Sequence, residues 1–206
     1  STGVAGVYMV SVSSQNGCVG RDTVQLSVIP VNPSSCTGYE YWFAASAVTN
    51  HTVSPSPVSL SDLNSPISMF FTTDEGPATV TIDQPANPLF TPITCTVNND
   101  SAEVVILTPF LEMIENKPAN TSLNYGLRVS SDKRISASYE IQSPYNAATW
   151  SLWGKDALGY SFIVPAQHNY SNYPHCSPPA RNSVEVVATE DSTFVTIFPA
   201  NDVIGH

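Results

Sequence analysis

The stretch VVATEDSTFVTIFPAN (residues 186–201) repeats, with small changes, an earlier part of the same chain. The earlier copy is FFTTDEGPATVTIDQPAN (70–87), and LRVSSDKRISASYE (127–140) follows the same plan. Each copy has an apolar segment, then hydroxyl-bearing or acidic residues, an aspartate, and a second segment with alternating apolar residues. Such alternation is typical of half-buried β-strands. We therefore interpret the three stretches as copies of one β-hairpin.

The aspartates of the three copies define a period. Asp74, Asp132 and Asp191 are separated by 58 and 59 residues, which indicates repeated supersecondary units. Because each period holds about four predicted strands, the expected fold is all-β and antiparallel, with units of ~58 residues arranged as propeller-like blades or as a β-sandwich. An aspartate side chain can accept hydrogen bonds from the N–H groups just ahead of it and so close a turn. We expect all three aspartates to be structural turn residues.

Short runs with β-branched and aromatic residues continue through most of the chain, separated by turn residues. The predicted strands after residue 38 are 39–45, 66–73, 78–83, 92–97, 102–108, 125–131, 134–141, 148–154, 160–166, 183–189 and 194–198. The one helix candidate is PFLEMIENK (109–117), which is short and is followed by Pro118.

The first residues predict a separate hairpin. Two alternating segments within residues 4–29 flank QNGC (15–18), and Asn-Gly is a strong turn signal. The proline- and serine-rich PVNPSSC (30–36) then reads as a linker. We predict two domains, 1–31 and 32–206. Since a lone hairpin is marginally stable in water, we expect a fragment of a longer chain.

Composition limits the partners of the chain. Only 12% of the residues are charged, the formal net charge is −10, and there are seven Lys and Arg in all. Nucleic acids and anionic membrane surfaces require clustered basic residues, so neither is an expected partner. No apolar run approaches the roughly 18 residues of a membrane span, so we do not expect membrane insertion. A hydroxyl-rich, acidic chain of this kind is typical of secreted β-rich modules and predicts an extracellular or cell-surface location.

The four cysteines suggest disulfides. None belongs to a C-x-x-C pair, which argues against zinc ribbons and thioredoxin-like sites, and the even count favours two bridges whose pairing the sequence leaves open. Four buried free thiols are the alternative. The candidates are Cys18, Cys36, Cys95 and Cys176.

The sequence offers no clear catalytic arrangement. It lacks G-x-S-x-G, and its adjacent acidic pairs, Asp74–Glu75 and Glu190–Asp191, fall in predicted turns. We therefore expect no enzyme activity and no cofactor. Three aspartates converging on Ca²⁺ is a weak alternative to turn formation, because calcium loops normally crowd several oxygens together.

Aromatic residues suggest a binding surface instead. YEYWF (39–43) and TWSLW (149–153) alternate along strands, where aromatic rings more often belong to the core. HNYSNYPH (168–175) reads as an exposed loop, and its candidate ligand residues are His168, Tyr170, Tyr173 and His175. Aspartate followed by Thr or Ser resembles the O-glycosylation motif of secreted Bacteroidota proteins, with the candidate acceptors Thr23, Ser101 and Ser192.

Five stretches together resemble the N-terminal domain of IgGFc-binding protein and its bacterial relatives, in the order of that family. They are GYEYWFAA, FFTTDEGPATVTI, IENKPANTSLNYGLRVSSDKRISASYEI, DALGYSFIVPA and SVEVVATEDSTFVTIFPA. Residues 4–29 resemble the last two strands of the PKD or Ig-like repeats of large Bacteroidota surface proteins. The insert PANTSLNY and the long loop 168–181 depart from the family pattern. Because domains of this family usually continue beyond the position of NDVIGH (201–206), the resemblance implies that the second domain is truncated at its C-terminus.

The resemblance implies a non-catalytic module of a large secreted protein, such as an adhesin or a motility- or matrix-associated filament. Its expected partners are other domains of the same long chain and a host or environmental protein or glycan. The alternative is a carbohydrate-binding accessory module of a secreted enzyme, which the loop aromatics motivate.

Overall fold

The chain is described from a computed structural model, which covers residues 6–13, 19–26, 37–47, 66–142, 147–165 and 183–199; of the first two segments it describes only the backbone. The chain divides into two compact units, Ser1–Pro33 and Ser34–His206. Among the described residues, no helix has the length and apolar character needed to cross a membrane.

The first unit contains an antiparallel strand pair. Strand β1 (Gly6–Ser13) pairs with β2 (Val19–Leu26), with Gly6 opposite Leu26 and Ser13 opposite Val19. The predicted hairpin is therefore confirmed in its strands. Its QNGC turn lies outside the described residues, and the glycosylation candidate Thr23 lies on β2 opposite Met9.

The second unit is built mainly from short antiparallel strands, which confirms the all-β class. Seven of them form one nearly closed, barrel-like sheet, and β4 and β9 form a short parallel pair. The strands are β3 (Gly38–Phe43), β4 (Ala45–Ser46), β5 (Ile67–Thr72), β6 (Ala78–Asp83), β7 (Ile93–Val97), β8 (Glu103–Ile106), β9 (Glu115–Asn116), β10 (Leu127–Ile141) and β11 (Ala148–Ser151). The helix candidate forms a 3₁₀ turn, Thr108–Phe110, and one turn of helix, α1 (Leu111–Ile114).

The 15-residue strand β10 organises the sheet. Its first half lies between β3 and β6, and its second half lies between β11 and β5. The pairing with β3 shifts register between Ser130 and Ile135, and such an irregularity bends a strand. Every other residue of each half points inward, so that β10 contributes to the core on both sides of the bend; these residues are Leu127, Val129, Ile135, Ala137, Tyr139 and Ile141.

Strands β5 and β6 follow one another along β10 instead of pairing with each other. Thr72 at the end of β5 lies opposite Ser136, and Val80 in β6 lies opposite Ser131. Strands β7 and β8 run end to end along β6 and β5 in the same way. The prediction of hairpins at 70–87 and 127–140 is therefore wrong. The first copy is one strand path interrupted at the bend, and the second is a continuous strand.

Two further strand predictions need correction. The expected four-stranded units are not what the described strands form, because strands from successive periods share one sheet around β10. The described residues 160–165 and 183–199 contain no assigned strand, although both were predicted to. A strand needs hydrogen bonds from a neighbour, and alternating sequence alone does not supply the neighbour.

The core lies inside the bent sheet. It includes Tyr41, Phe71 and Ile82, and Phe90 follows β6 into the same cluster. The Tyr41 hydroxyl donates to the Ile135 carbonyl across the interior. The buried side chain of Gln84 links two segments outside the strands, since its Nε2 atom donates hydrogen bonds to the carbonyls of Met113 and Tyr125.

Candidate functional site

Side-chain hydrogen bonds fasten the bend of the sheet. The Asp132 carboxylate accepts the backbone N–H of Thr79 at 2.7 Å, and the Glu75 carboxylate accepts the backbone N–H of Arg134 at 3.1 Å. The Thr73 hydroxyl donates to the Arg134 carbonyl at 2.8 Å. The loop between β5 and β6 is therefore fastened to the middle of β10.

The three predicted turn aspartates have different surroundings. Asp74 lies in the bend between β5 and β6, and Asp191 lies in a turn of residues 190–193. Asp132 lies inside β10, so its prediction as a local turn residue is wrong. Its carboxylate instead caps a backbone N–H of a different strand, which a strand interior permits because the side chain points out of the pleat.

A shallow hollow lies beside this bend, with a volume of about 360 Å³, and is lined in part by Asp74, Asn99 and Asp100. Among the described residues, no three His, Cys, Asp or Glu side chains are grouped as metal ligands would be. The candidate acceptor Ser101 borders the hollow and donates its hydroxyl to the Asn98 carbonyl. The other acceptor in the second unit, Ser192, is exposed and has a left-handed φ of 61°.

The predicted binding loop lies outside the described residues, with His168, Tyr170, Tyr173 and His175, and so do Cys18, Cys36 and Cys176. Cys95 lies on β7, packs against the core and carries a free thiol. The prediction of a disulfide at Cys95 is therefore wrong for this structure, in which Cys95 is a half-buried free thiol. Burial raises the pKa of this thiol, and the nearby Glu103 carboxylate raises it further.

An aromatic groove, with a volume of about 300 Å³, opens beside β3, β10 and β11. Its walls come from Phe43 on β3, Tyr139 on β10 and Trp150 on β11. Its lining also includes Trp42, Glu185 and Val187, the last two from the described part of the third copy. The groove therefore joins residues that are far apart in sequence.

The Tyr139 ring contacts the rings of two other groove residues, Phe43 and Trp150. Its ring centroid lies 4.5 Å from that of Phe43 and 5.8 Å from that of Trp150. Its side chain is 1% exposed, and its hydroxyl has no hydrogen-bond partner among the described residues. Burial raises the pKa of this phenol far above its usual range, with a smaller contribution from the Glu115 carboxylate.

Trp42 is held in place from the outer face of the sheet. The Arg128 guanidinium lies 5.9 Å from the centre of the Trp42 ring and binds both oxygens of Asp83, at 3.0 and 2.6 Å. The Trp42 indole N–H donates to the Glu40 carboxylate at 3.2 Å. The hydrogen bond to Asp83 also raises the pKa of Arg128. Because cation–π contact and hydrogen bonding fix the ring from two sides, Trp42 forms a preorganised wall.

Sequence reasoning assigned the aromatic strands mainly to the core and placed the candidate surface in the loop 168–175. In the structure Tyr41 is buried, whereas its neighbour Trp42 borders the groove, and Trp150 and Trp153 are 39% and 49% exposed. The alternation of side chains along a strand was the sequence signal that could have found Trp42, because an inward-pointing Tyr41 places its neighbour Trp42 on the opposite face of the sheet. Only the bend of β10, however, brings Phe43 next to Tyr139.

Comparison of the chain with protein-family models, with curated proteins and with solved structures found no match.

Proposed function

We propose that the chain is a non-catalytic contact module of a large secreted cell-surface protein, of the adhesin or surface-filament type. The aromatic groove is the surface through which it binds a protein or a glycan. Support comes from the acidic, hydroxyl-rich composition and from the preorganised aromatic walls of the groove.

The observation that carries this proposal is the Tyr139 hydroxyl. It is a buried donor without a partner among the described residues, at a groove whose lining also includes Trp42, Phe43 and Trp150. Buried polar groups are nearly always hydrogen-bonded, and an unpaired one costs about 1–3 kcal/mol. A ligand oxygen that reached this hydroxyl, by displacing the side chains that cover it, would accept the hydrogen bond and remove that cost.

The groove is suited to binding by stacking and hydrogen bonding. Trp42 and Trp150 offer ring faces, and Glu185 adds one carboxylate to the lining. The Glu185 carboxylate already accepts the Ser183 hydroxyl at 2.7 Å, so it is oriented before any ligand arrives.

A carbohydrate-binding accessory module of a secreted enzyme is the second candidate. Sugar rings present apolar C–H faces that stack on aromatic rings, and their hydroxyls both donate and accept hydrogen bonds. Trp150 supplies the ring, Tyr139 the donor and Glu185 the acceptor, which favours a sugar as the ligand.

Retention of the purified chain by intact cells or extracellular matrix tests the proposal. Trp150→Ala should reduce retention at least about tenfold, as expected of a central aromatic contact. Trp153→Ala is the matched control, since Trp153 is at least as exposed but does not line the groove. Competition by neutral oligosaccharides would favour the carbohydrate reading. Equal retention of all three proteins would refute the groove as the contact surface.

A further inference from the structure

The third copy of the repeated sequence is anchored to its own chain through its first half only. In residues 183–189, half-buried and exposed side chains alternate, with Glu185 and Val187 facing the groove. Val187 packs closely on Gly126. A Cβ atom added at Gly126 would lie only 2.9 Å from the Cγ2 atom of Val187, which is too close for an ordinary contact. This half is therefore extended and seated against the barrel.

The second half, which we call the arm (residues 193–199), is exposed along its whole length. Phe194 and Phe198 are 99% and 91% exposed, and Ile197 is 61% exposed. In the first copy, the residue that matches Ile197 is Ile82, which is fully buried. A contiguous apolar segment of this kind marks an interaction surface.

The first copy indicates what kind of partner covers such a segment. Strands β5 and β6 are enclosed between two antiparallel neighbours, β10 on one side and the β7–β8 path on the other. The arm has the sequence TFVTIFP and carries no charge. Its Val195 and Ile197 match the buried Val80 and Ile82 of β6, whereas Phe194 and Phe198 replace Thr79 and Asp83. Such a segment is suited to pairing with the edge of a β-sheet.

The same molecule presents such an edge. Within the described part of the chain, β7 pairs with β6 alone and β8 with β5 alone. Val104 and Ile106 on β8 are exposed, and the two strands contain neither lysine nor proline, which natural edge strands commonly use to prevent pairing. On its other side this edge already pairs with the first copy.

We propose that the arm adds as a strand to the β7–β8 edge of a second copy of this chain. The side chains of the arm are all exposed, so the arm is not packed on its own sheet. Each molecule then carries one donor and one acceptor, so contacts are head-to-tail and the assembly can extend into a filament. This inference does not depend on what the groove binds.

Mass measurement by light scattering across a concentration series, together with amide hydrogen exchange, tests the proposal on the full chain. The mass should rise with concentration, and alternate amides within residues 194–198 should become protected in parallel, because an added edge strand donates only every other N–H to its neighbour. Ile197→Lys in the arm and Ile106→Lys at the edge should each weaken association at least about tenfold. Leu89→Lys is the matched control, because Leu89 is an exposed apolar residue outside both the arm and the edge.

Mixing the two deficient variants provides the decisive comparison. The Ile106→Lys protein keeps its arm and the Ile197→Lys protein keeps its edge, so the mixture should form a heterodimer that does not grow further. A monomer at every concentration with protected arm amides would mean that the arm pairs within its own chain. A monomer with unprotected amides would mean that it does not pair. Either result, or a mixture without heterodimers, overturns the proposal.

Discussion

The carboxylate of Asp132 accepts the backbone N–H of Thr79, 53 residues earlier in the chain, at 2.7 Å. Asp132 lies where β10 bends, and Thr79 lies where the first copy resumes as β6 after its interruption. The hydrogen bond therefore joins two copies of the repeated sequence at the bend. An aspartate that marks the repeat in sequence stabilises the bend by acting between strands.

Removing this contact should loosen the bend. We expect Asp132→Ala to lower the free energy of unfolding by about 1 kcal/mol, because it leaves the Thr79 N–H without its charged acceptor at an exposed position. Asp74→Ala is the matched control, since Asp74 occupies the equivalent place in its copy and forms no hydrogen bond through its side chain within the described region. Its change should stay within about 0.5 kcal/mol. Denaturant unfolding measures both, and equal effects would contradict a specific role for Asp132.

The strands were largely predictable from the sequence, but their connections were not. Period-two alternation located β5, β6, β7 and β8 to within a few residues, because one face of each is buried. A polar interruption such as TTDEGP predicts a hairpin turn, yet it can equally let a strand bend and continue. The choice depends on whether a strand as long as β10 is available alongside, and that is information from a distant part of the chain.

The buried Gln84 should be far more sensitive to substitution than a surface glutamine. Its side chain donates to the carbonyls of Met113 and Tyr125, at 2.8 and 3.0 Å, and accepts the Asn87 amide at 2.7 Å. We expect Gln84→Ala to cost about 3 kcal/mol, because it leaves several buried groups unpaired. Gln142→Ala, at an exposed position, should cost under about 0.5 kcal/mol. Thermal unfolding of both variants measures the difference. Similar midpoints would contradict a stabilising role for the hydrogen bonds of Gln84.

The Cys95 thiol should react slowly with alkylating agents in the folded protein. Burial and the Glu103 carboxylate raise its pKa, so less of the reactive thiolate is present at a given pH. Glu103→Gln should lower that pKa and speed modification near pH 8, whereas unfolding should speed it much more. Mass spectrometry of the Cys95 peptide follows the reaction. A peptide that resists alkylation until a reductant is added would indicate a disulfide.

The candidate site shows the same limit of sequence reasoning. TWSLW and YEYWF could be recognised as aromatic strands, and the alternation rule could have separated inward Tyr41 from Trp42. The meeting of Phe43 and Tyr139 could not be foreseen, because these residues belong to opposite halves of a bent sheet. A groove formed by such a bend has no local sequence pattern, since its residues come from distant parts of the chain and are not separated by a regular number of residues.

Tyr139 should make the stability of the protein fall in alkali. Its pKa is raised in the folded state, mainly by burial, whereas in the unfolded chain a tyrosine ionises near pH 10. The unfolded state therefore loses its proton first. Stability from this residue is fully present below about pH 10 and declines above it, by up to about 1.4 kcal/mol per pH unit.

Tyr139→Phe isolates this effect, because it removes the ionisable hydroxyl and keeps the ring between Phe43 and Trp150. The variant should lose stability less steeply above about pH 10 than the parent protein. At neutral pH it should be as stable as the parent or more stable by about 1 kcal/mol, since the hydroxyl it lacks is buried without a partner among the described residues. Tyr160→Phe, at a fully exposed side chain, is the matched control. Denaturant unfolding from pH 7 to pH 11 measures these changes. A marked loss of stability at pH 7 in Tyr139→Phe would mean that the hydroxyl already has a partner, and the groove would then have no unsatisfied donor to offer a ligand.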